Sequence, residues 1–166
     1  MKYTGKFTPI QQWLHCEWFD SIPEGKLNRE PMNCRYDDQI VIFGRKFQEV
    51  LARQKFFLVG CGALGCEYIK MLALMGLSCS KEGKLFITDD DHIENSNLNR
   101  QFLFRKKHRK KPKSVIAAKV GKKINPDLNI KYYTDRVNQE NEKLFNETFW
   151  KNLDGICLAL DNVKAR

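Results

Sequence analysis

The stretch KFFLVGCGALG, residues 55–65, decides the fold. It begins as a short, continuous apolar run, a pattern typical of a strand buried on both faces of a parallel sheet. Three glycines follow in a Gly-x-Gly-x-x-Gly spacing, and an amphipathic pattern over 63–77 predicts a helix directly after the strand. A turn of this kind lets the backbone approach a phosphate and points a helix N-terminus at it. We therefore expect a nucleotide to contact Gly60, Gly62, Ala63 and Gly65. A tight turn that binds nothing would show the same spacing.

The rest of the chain alternates strand and helix patterns. Further strands are predicted at 84–89, 130–137 and 155–161, and further helices at 112–124 and 141–152. Another helix, opening near Phe47 and ending at Gln54, precedes the first strand. This alternation predicts an α/β, Rossmann-like parallel sheet with flanking helices. Because parallel sheets bind ligands beyond the carboxyl ends of their strands, residues 60–65, residues 89–91 and Asp161 are expected to converge on one crevice.

The composition is that of one globular domain. The chain has 166 residues, of which 42% are hydrophobic and 30% charged, and a domain of this length buries roughly 70% of its unfolded surface. It has neither an apolar run of membrane-spanning length nor the pattern of a secretory signal, so no membrane partner is expected. Six cysteines occur without a CxxC pair. We expect them to be reduced thiols that pack as small hydrophobic residues in an intracellular protein.

The net charge of +9 is concentrated in RKKHRKKPK, residues 105–113, which holds seven Lys or Arg. Such a block could bind nucleic acid, and a basic nucleic-acid-binding module is one alternative for the whole chain. The block has no interleaved aromatic side chains on which bases could stack. We therefore predict a solvated, mobile loop and no nucleic-acid partner.

The stretch TDDDHIENSNLNRQFLF, residues 88–104, places acids before amides and an arginine. Asp89 follows Gly65 by 24 residues, close to the spacing at which an acid holds a ribose hydroxyl. Up to this point an NAD-dependent oxidoreductase fits as well as a protein that uses ATP. Phe102–Phe104 closes the stretch as an apolar run that would anchor the polar residues before it.

The residues after the first acid favour a triphosphate with its metal over a dinucleotide. Asp91 offers a hard oxygen ligand for magnesium, and Arg100 and Lys113 offer charges that neutralise phosphate. Asn97 and Gln101 add amide groups beside Arg100. A dinucleotide-binding domain needs none of these after its ribose acid.

These motifs carry a family resemblance. SNLNRQFLF after a Gly-x-Gly-x-x-Gly unit, a lysine at the start of the next helix, and ALDNVKAR at the fourth strand resemble the adenylation domain of ubiquitin-like-protein activating enzymes. KFTPIQQWLHCEWFDSIP and YDDQIVIFG favour the members that activate ubiquitin over those that activate SUMO or NEDD8. The resemblance covers nearly the whole chain. It implies a ThiF/MoeB-type adenylation fold, expected to be truncated after about the fourth strand.

The resemblance also implies a reaction. Enzymes of this family bind ATP and Mg²⁺ and adenylate the C-terminal glycine of the modifier, before a cysteine in another domain accepts the acyl group as a thioester. Matching positions imply that Asp89 holds the ribose, and that the phosphates contact Asn97, Arg100, Gln101 and Lys113. Asp91 and Asp161 would bind magnesium. Arg100, Lys113 and Asp161 are the expected catalytic residues.

The resemblance further implies a domain plan and partners. Residues 1–35 are expected to form an N-terminal arm, and residues 36–166 the first part of the ATP-binding adenylation domain. The catalytic-cysteine and ubiquitin-fold domains, and the inactive adenylation half, would lie outside the chain, so the chain alone is expected to be inactive. Ubiquitin, that inactive half and ubiquitin-conjugating enzymes are the implied partners, in the cytoplasm and nucleus.

Overall fold

The computed structural model describes residues 27–161. Most of the predicted N-terminal arm, and the segment 162–166 of ALDNVKAR, lie outside the described residues. The centre of the fold is a four-stranded sheet in which every pair of neighbours is parallel. Its strands are β1 (Lys55–Val59), β2 (Lys84–Thr88), β3 (Ile130–Tyr133) and β4 (Gly155–Leu158). The predicted α/β parallel sheet is confirmed.

The strand order is β3-β2-β1-β4, so β1 lies between β2 and β4. Leu58 of β1 pairs with Ile87 on one side and with Cys157 on the other. The chain builds outward from β1 to β3 and then returns to the opposite side of β1. A sheet that reverses its order in this way opens a crevice at the carboxyl ends of the two strands that flank the reversal, here β1 and β4.

Five α-helices flank this sheet in the described part of the chain. They are α1 (Asp37–Phe43), α2 (Arg45–Arg53), α3 (Ala63–Met75), α4 (Lys113–Ile124) and α5 (Glu147–Lys151). Short 3-10 turns lie at Asn95–Asn97, Lys106–His108 and Gln139–Asn141. None of the helices within residues 27–161 has the length and apolar character needed to cross a membrane.

The turn Gly60–Gly65 between β1 and α3 is called here the glycine turn. The helices before and after it begin and end at other residues than the sequence predicts. Helix α1 was not predicted, and α2 begins at Arg45 rather than near Phe47. The Asp37 carboxylate accepts hydrogen bonds from the backbone N–H groups of Met32 and Cys34, which orders the chain at the start of α1. Helix α3 ends at Met75 because Gly76 takes a left-handed conformation.

The second half of the chain is less regular than its pattern predicts. The strands predicted to extend to 137 and 161 end at Tyr133 and Leu158, and the helix predicted over 141–152 is a 3-10 turn followed by the short α5. Asparagine side chains explain the break in that helix. Asn138 accepts from the Asn141 N–H at 3.1 Å, and Asn146 accepts from the Phe149 N–H at 2.9 Å. Each side chain starts a new turn instead of letting one helix continue.

The basic segment 105–113 is also more ordered than predicted. The Ile93 N–H donates to the Lys111 carbonyl at 2.9 Å, and the Lys110 N–H donates to the Ile93 carbonyl at 2.8 Å. Pro112, predicted in the first turn of a helix, is instead the N-cap of α4. The segment is therefore paired with the chain that leaves β2, and does not form a free loop.

Side chains that alternate along the strands pack into two hydrophobic cores, one on each face of the sheet. Leu58, Leu85 and Ile87 point toward α3 and α4 and are fully buried there. On the other face Phe57 is fully buried among aromatic rings, with centroid distances of 5.4 Å to Phe145, 5.1 Å to Phe149 and 5.6 Å to Trp150. This aromatic cluster holds the short α5 against the sheet.

The aromatic cluster predicts where the fold is most sensitive. Phe57→Ala is expected to lower the free energy of unfolding by about 3–5 kcal/mol, because it leaves a cavity inside the ring cluster. Phe57→Leu should lose less, since it fills part of that cavity. The control Phe47→Ala removes a ring that is 37% exposed and should cost less than about half as much. Urea unfolding followed by circular dichroism measures all three, and equal losses for Phe57→Ala and Phe47→Ala would contradict this account.

Candidate nucleotide site

The glycine turn brings the ends of three strands together. Gly60 has φ +99°, and a Cβ at this position would lie 2.6 Å from the Ala159 carbonyl oxygen just beyond β4. The Gly60 N–H donates to the Thr88 carbonyl of β2 at 2.9 Å. A Cβ on Gly65 would lie 2.1 Å from the Gly60 carbonyl oxygen. Both glycines are therefore required by close backbone approach, independently of any ligand.

Gly62 is different, because no crowding requires a glycine there. Its φ is −72°, and a Cβ at this position would have only the Gln101 Nε2 nearby, at 4.0 Å. It is the N-cap residue of α3 and provides no side-chain cap. The missing side chain leaves open space in front of the first N–H groups of a 13-residue helix. A phosphate placed there would meet unsatisfied donors and the positive end of the helix dipole.

Asp89 lies at the tip of β2 and contacts the glycine turn directly. Its Oδ2 accepts from the Cys61 N–H at 2.6 Å, and its Oδ1 accepts from the Asp91 N–H at 2.9 Å. Burial raises the pKa of Asp89, while these two hydrogen bonds and the nearby Lys113 ammonium oppose that rise. The predicted meeting of residues 60–65 with residues 89–91 is therefore present in the structure. It holds the Asp89 carboxylate beside the turn.

Lys113 and Asp91, predicted for phosphate and for magnesium, contact each other. The Lys113 Nζ lies 2.7 Å from the Asp91 Oδ2. The lysine side chain is 8% exposed and the aspartate side chain 64% exposed, so the pair joins a buried cation to an accessible carboxylate. The Lys113 N–H also donates to the Asp91 carbonyl at 2.9 Å, which fixes the start of α4 against the acidic segment.

Asp90, to which sequence analysis assigned no role, makes a two-bond contact with Arg136. Its Oδ2 accepts from the Arg136 Nε at 3.0 Å and from the Arg136 Nη2 at 2.7 Å. Oxygens of Asp89, Asp90 and Asp91 all lie within 4.8 Å of one another. Arg136 is therefore a residue near the site that sequence reasoning missed. No local pattern identifies it, because the two partners lie 46 residues apart.

Asn97, Arg100, Gln101 and Lys113, predicted to contact the phosphates, are called here the phosphate clamp, and the first two are held in place by their own turn. The Asn97 Oδ1 accepts from the Glu94 N–H at 2.9 Å and caps the turn Asn95–Asn97. The exposed Arg100 donates from Nη1 to the Ser96 carbonyl at 2.7 Å. One guanidinium nitrogen is thus used to orient the side chain, and the other N–H groups remain on an exposed surface where an anion could bind.

Gln101 is buried beside the open space at Gly62 and has one unpaired polar atom. Its side chain is buried (the residue is 3% exposed), and its Oε1 has no hydrogen-bond partner within residues 27–161. Its Nε2 faces the open space at Gly62. Leu103 and Phe104 are 3% and 1% exposed in the core, so the predicted anchor holds Gln101 in this position. A buried acceptor without a donor is costly, so a donor such as a water molecule or a ligand hydroxyl would stabilise this oxygen.

Asp161, predicted to bind magnesium, lies beyond the end of another strand. It is exposed, lies beyond the carboxyl end of β4, and is not part of the Asp89–Asp91 carboxylate group. Its place on the crevice follows from the strand order, because β4 ends beside β1. Its metal-binding role remains a prediction.

Comparisons with known proteins agree with this geometry. Residues 36–166 match the ThiF family. The chain belongs to the ThiF family. It is 49% identical to ubiquitin-activating enzyme E1 1 of Triticum aestivum, over 98% of this chain and 16% of that protein. It is 46% identical to ubiquitin-like modifier-activating enzyme 1 of Mus musculus, again over 98% of this chain and 16% of that protein. The predicted resemblance is confirmed, and this ThiF-family chain spans about a sixth of the length of these relatives.

Solved structures show the same fold at lower identity. The E. coli tRNA N6-threonylcarbamoyladenosine dehydratase TcdA superposes with a TM-score of 0.68 at 22% identity, covering 79% of this chain and 52% of that chain. TcdA in complex with ATP superposes with a TM-score of 0.67, covering 78% and 50%. The predicted ThiF-type fold of this ThiF-family chain is therefore confirmed.

The crowding at the glycine turn gives a paired prediction. Gly65→Ala should lower the free energy of unfolding by about 1–3 kcal/mol, because its Cβ overlaps the Gly60 carbonyl. Gly62→Ala should lower it by less, no more than about 1 kcal/mol, because its Cβ points into open space and only the preference for glycine over alanine at an N-cap is lost. Chemical denaturation with a shared baseline for the two variants measures the difference. A larger loss for Gly62→Ala than for Gly65→Ala would show that the turn is packed differently.

The cysteines beside the turn give a second prediction. Burial raises the pKa of Cys61 well above its usual range and raises that of Cys66 to about 11, so both thiols resist deprotonation. Cys34 is exposed. At pH 8 iodoacetamide should modify Cys34 at least about tenfold faster than Cys61 or Cys66, since the thiolate is the reactive form. Peptide mapping by mass spectrometry measures the rate of modification at each cysteine. Unfolding in urea should make the three rates similar. Rapid labelling of native Cys61 would contradict its role as a packing residue.

Proposed function

We propose that this chain is the first, ATP-binding part of the adenylation domain of an enzyme that activates ubiquitin. The observation that carries the nucleotide site is the open space at Gly62, in front of the N-terminus of α3, together with the buried Gln101, whose Nε2 faces that space and whose Oε1 is unpaired. The identity to ubiquitin-activating enzymes supports the choice of substrate, and TcdA, which shares the fold, has been solved in complex with ATP.

The residues present fit ATP. The N–H groups at the start of α3 would receive phosphate oxygens. Asp89, held by Cys61 and Asp91 at the tip of β2, would accept the ribose hydroxyls, since each of its oxygens retains acceptor capacity. Arg100, Lys113 and the amides of Asn97 and Gln101 would contact the phosphate chain. Together these groups would offer donors and positive charge to a polyphosphate.

Magnesium would be held by Asp91 and Asp161. Asp91 is accessible, but its Oδ2 is paired with the Lys113 ammonium, so ATP and metal would have to share or replace that contact. Bound Mg²⁺ would neutralise part of the phosphate charge. Asp90 is a weaker candidate because Arg136 already occupies one of its oxygens with two hydrogen bonds.

In the proposed reaction, the residues of the nucleotide site position the reactants and stabilise charge. The C-terminal carboxylate of ubiquitin attacks the α-phosphorus of ATP, so that an oxygen–phosphorus bond forms and pyrophosphate leaves. Arg100 and Lys113 stabilise the negative charge that develops on the phosphate oxygens, and Asp89 holds the nucleoside still. No protein nucleophile takes part in this step. Cys61 and Cys66 are buried thiols of raised pKa, and we assign them a packing role.

The proposal includes the domain plan and the partners. Residues 36–166 would be the first part of the adenylation domain, and the thioester-forming cysteine, the ubiquitin-fold domain and the inactive adenylation half would lie elsewhere in a longer enzyme. Ubiquitin, ubiquitin-conjugating enzymes and that inactive half would be the partners, in the cytoplasm and nucleus. Alone, the chain would be inactive.

The phosphate clamp can be tested in the longer enzyme that carries this chain. Arg100→Ala should lower ubiquitin-dependent exchange of labelled pyrophosphate into ATP by at least about 100-fold, the scale of losing one preorganised charge contact. Asp161→Ala should have an effect of the same size. Arg109→Ala removes an exposed arginine outside the clamp and should stay within about threefold, as a surface substitution. Losses below tenfold for both Arg100→Ala and Asp161→Ala would remove these residues from the catalytic set.

Whether the site prefers a triphosphate or a dinucleotide can be tested on the isolated chain. In calorimetric titrations any binding of MgATP should exceed that of NAD, because the site offers charges for a triphosphate. Asp89→Asn should weaken that binding, while Asp127→Asn, outside the site, should not. Tighter binding of NAD than of MgATP would favour an oxidoreductase. Robust pyrophosphate exchange by the isolated chain would show that the missing half is dispensable.

A further inference from the structure

The ordered basic segment Arg105–Lys111, called here the basic turn, has no role in the proposed reaction. Its six Lys and Arg side chains are all exposed, namely those of Arg105, Lys106, Lys107, Arg109, Lys110 and Lys111. Within residues 27–161, none of the six forms an ion pair with an acidic side chain. The charge of this surface is therefore uncompensated by the part of the chain that the structure describes.

The basic turn is held rigidly enough to present this charge in one place. The Arg105 guanidinium donates to the carbonyls of Phe102 and Phe104, with 2.8 Å to the latter. The Arg105 N–H donates to the His108 Nδ1 at 3.1 Å, which closes the 3-10 turn Lys106–His108. Two backbone hydrogen bonds to Ile93 fix the end of the turn. Ordering such a segment on binding would cost little further entropy.

The cations of the basic turn lie close enough together for their positive charges to act on the same group. The pKa of His108 is lowered by burial and then by the positive charges of Lys107, Lys111, Arg105 and Lys123. Lys123 belongs to the last turn of α4, so the positive surface extends from the basic turn onto that helix. Concentrated charge of one sign attracts ligands of opposite charge and speeds their encounter.

A groove of about 400 Å³ runs beside the basic turn. It is lined by His92, Ile93, Glu94, Asn95, Arg109 and Lys110. Its one carboxylate, Glu94, accepts hydrogen bonds from the Ser96 hydroxyl at 3.3 Å and from the Asn97 N–H. Two cations thus lie at the groove, together with the amide and imidazole groups that can hydrogen-bond a peptide backbone.

We propose that the basic turn and this groove dock an acidic segment of a partner protein. A membrane fits less well, because residues 105–111 include no aliphatic or aromatic side chain that could insert. Single-stranded nucleic acid fits less well, because neither the basic turn nor the groove has a Phe, Tyr or Trp ring on which bases could stack. The groove also offers the acceptor oxygens of Glu94 and Asn95, which can receive the N–H groups of a peptide, whereas a duplex backbone has no such donors. A short acidic peptide can use these acceptors and place its carboxylates against the lysines.

The test is fluorescence anisotropy of the 166-residue chain with a fluorescein-labelled oligoglutamate peptide. Binding should weaken steeply with added salt, since the contacts are exposed. The triple variant Lys106→Glu/Arg109→Glu/Lys110→Glu should raise the Kd at least about tenfold, because three attractive surface charges become repulsive. The matched control Lys46→Glu/Lys81→Glu/Lys143→Glu changes the net charge equally, at exposed lysines elsewhere, and should stay within about twofold. Circular dichroism melting curves check that both variants fold.

Three outcomes would overturn the proposal. The first is no measurable binding of oligoglutamate, and the second is equal weakening in the two triple variants, which would show a general charge effect. The third is a mixed-sequence DNA duplex that binds more tightly than the peptide and loses binding in the same triple variant. That result would assign the surface to nucleic acid. None of the six changed residues belongs to the nucleotide site, so a failure of ATP binding would leave this proposal standing.

Discussion

The structure depends on how closely the backbone approaches itself at the glycine turn. Gly60 has a positive φ and packs directly on the Ala159 carbonyl. Gly65, in the first turn of α3, packs directly on the Gly60 carbonyl. These contacts set the distance between β1, β4 and the helix, because any side chain would force them apart. The Cys61 N–H then meets the Asp89 carboxylate at 2.6 Å and ties in the end of β2. One backbone turn thus positions both the sheet and the crevice in which a nucleotide would bind.

The residues around that turn are arranged as a set of compensated charges. Asp89 accepts two backbone N–H groups, Asp90 pairs with Arg136, and Asp91 pairs with Lys113. Three neighbouring carboxylates would otherwise repel one another strongly at such short range. The exception is the Gln101 side chain, which the packing of Leu103 and Phe104 holds in the interior with its carbonyl oxygen unpaired. The unpaired Gln101 oxygen and the open space in front of the N-terminus of α3 are the two features that support the proposed nucleotide site.

The basic turn and the nucleotide site lie on either side of one short segment. Asp91 belongs to the site through Lys113, while His92–Asn95 lines the groove and pairs with the basic turn through Ile93. Opposite charges are therefore separated by a few residues of chain, with acids toward the crevice and cations away from it. Lys113 follows the basic turn after Pro112, so a single chain segment connects the two surfaces.

Sequence alone determined the elements and residues whose chemistry is local. The apolar run and the glycine spacing predicted β1, the turn and α3, and the order of patterns predicted the parallel sheet, because each of these follows from periodicity and backbone sterics. Asp89 and Gln101 were predicted as site residues. Tertiary structure alone decided that Asp91 pairs with Lys113, that Asp90 pairs with Arg136, and that the basic segment is ordered. It also decided that asparagine caps break the predicted helix over 141–152. The two ion pairs join residues far apart in sequence, so no local pattern identifies them. The caps depend on a competition between backbone and side-chain hydrogen bonds, which the hydrophobic pattern over 141–152 does not show.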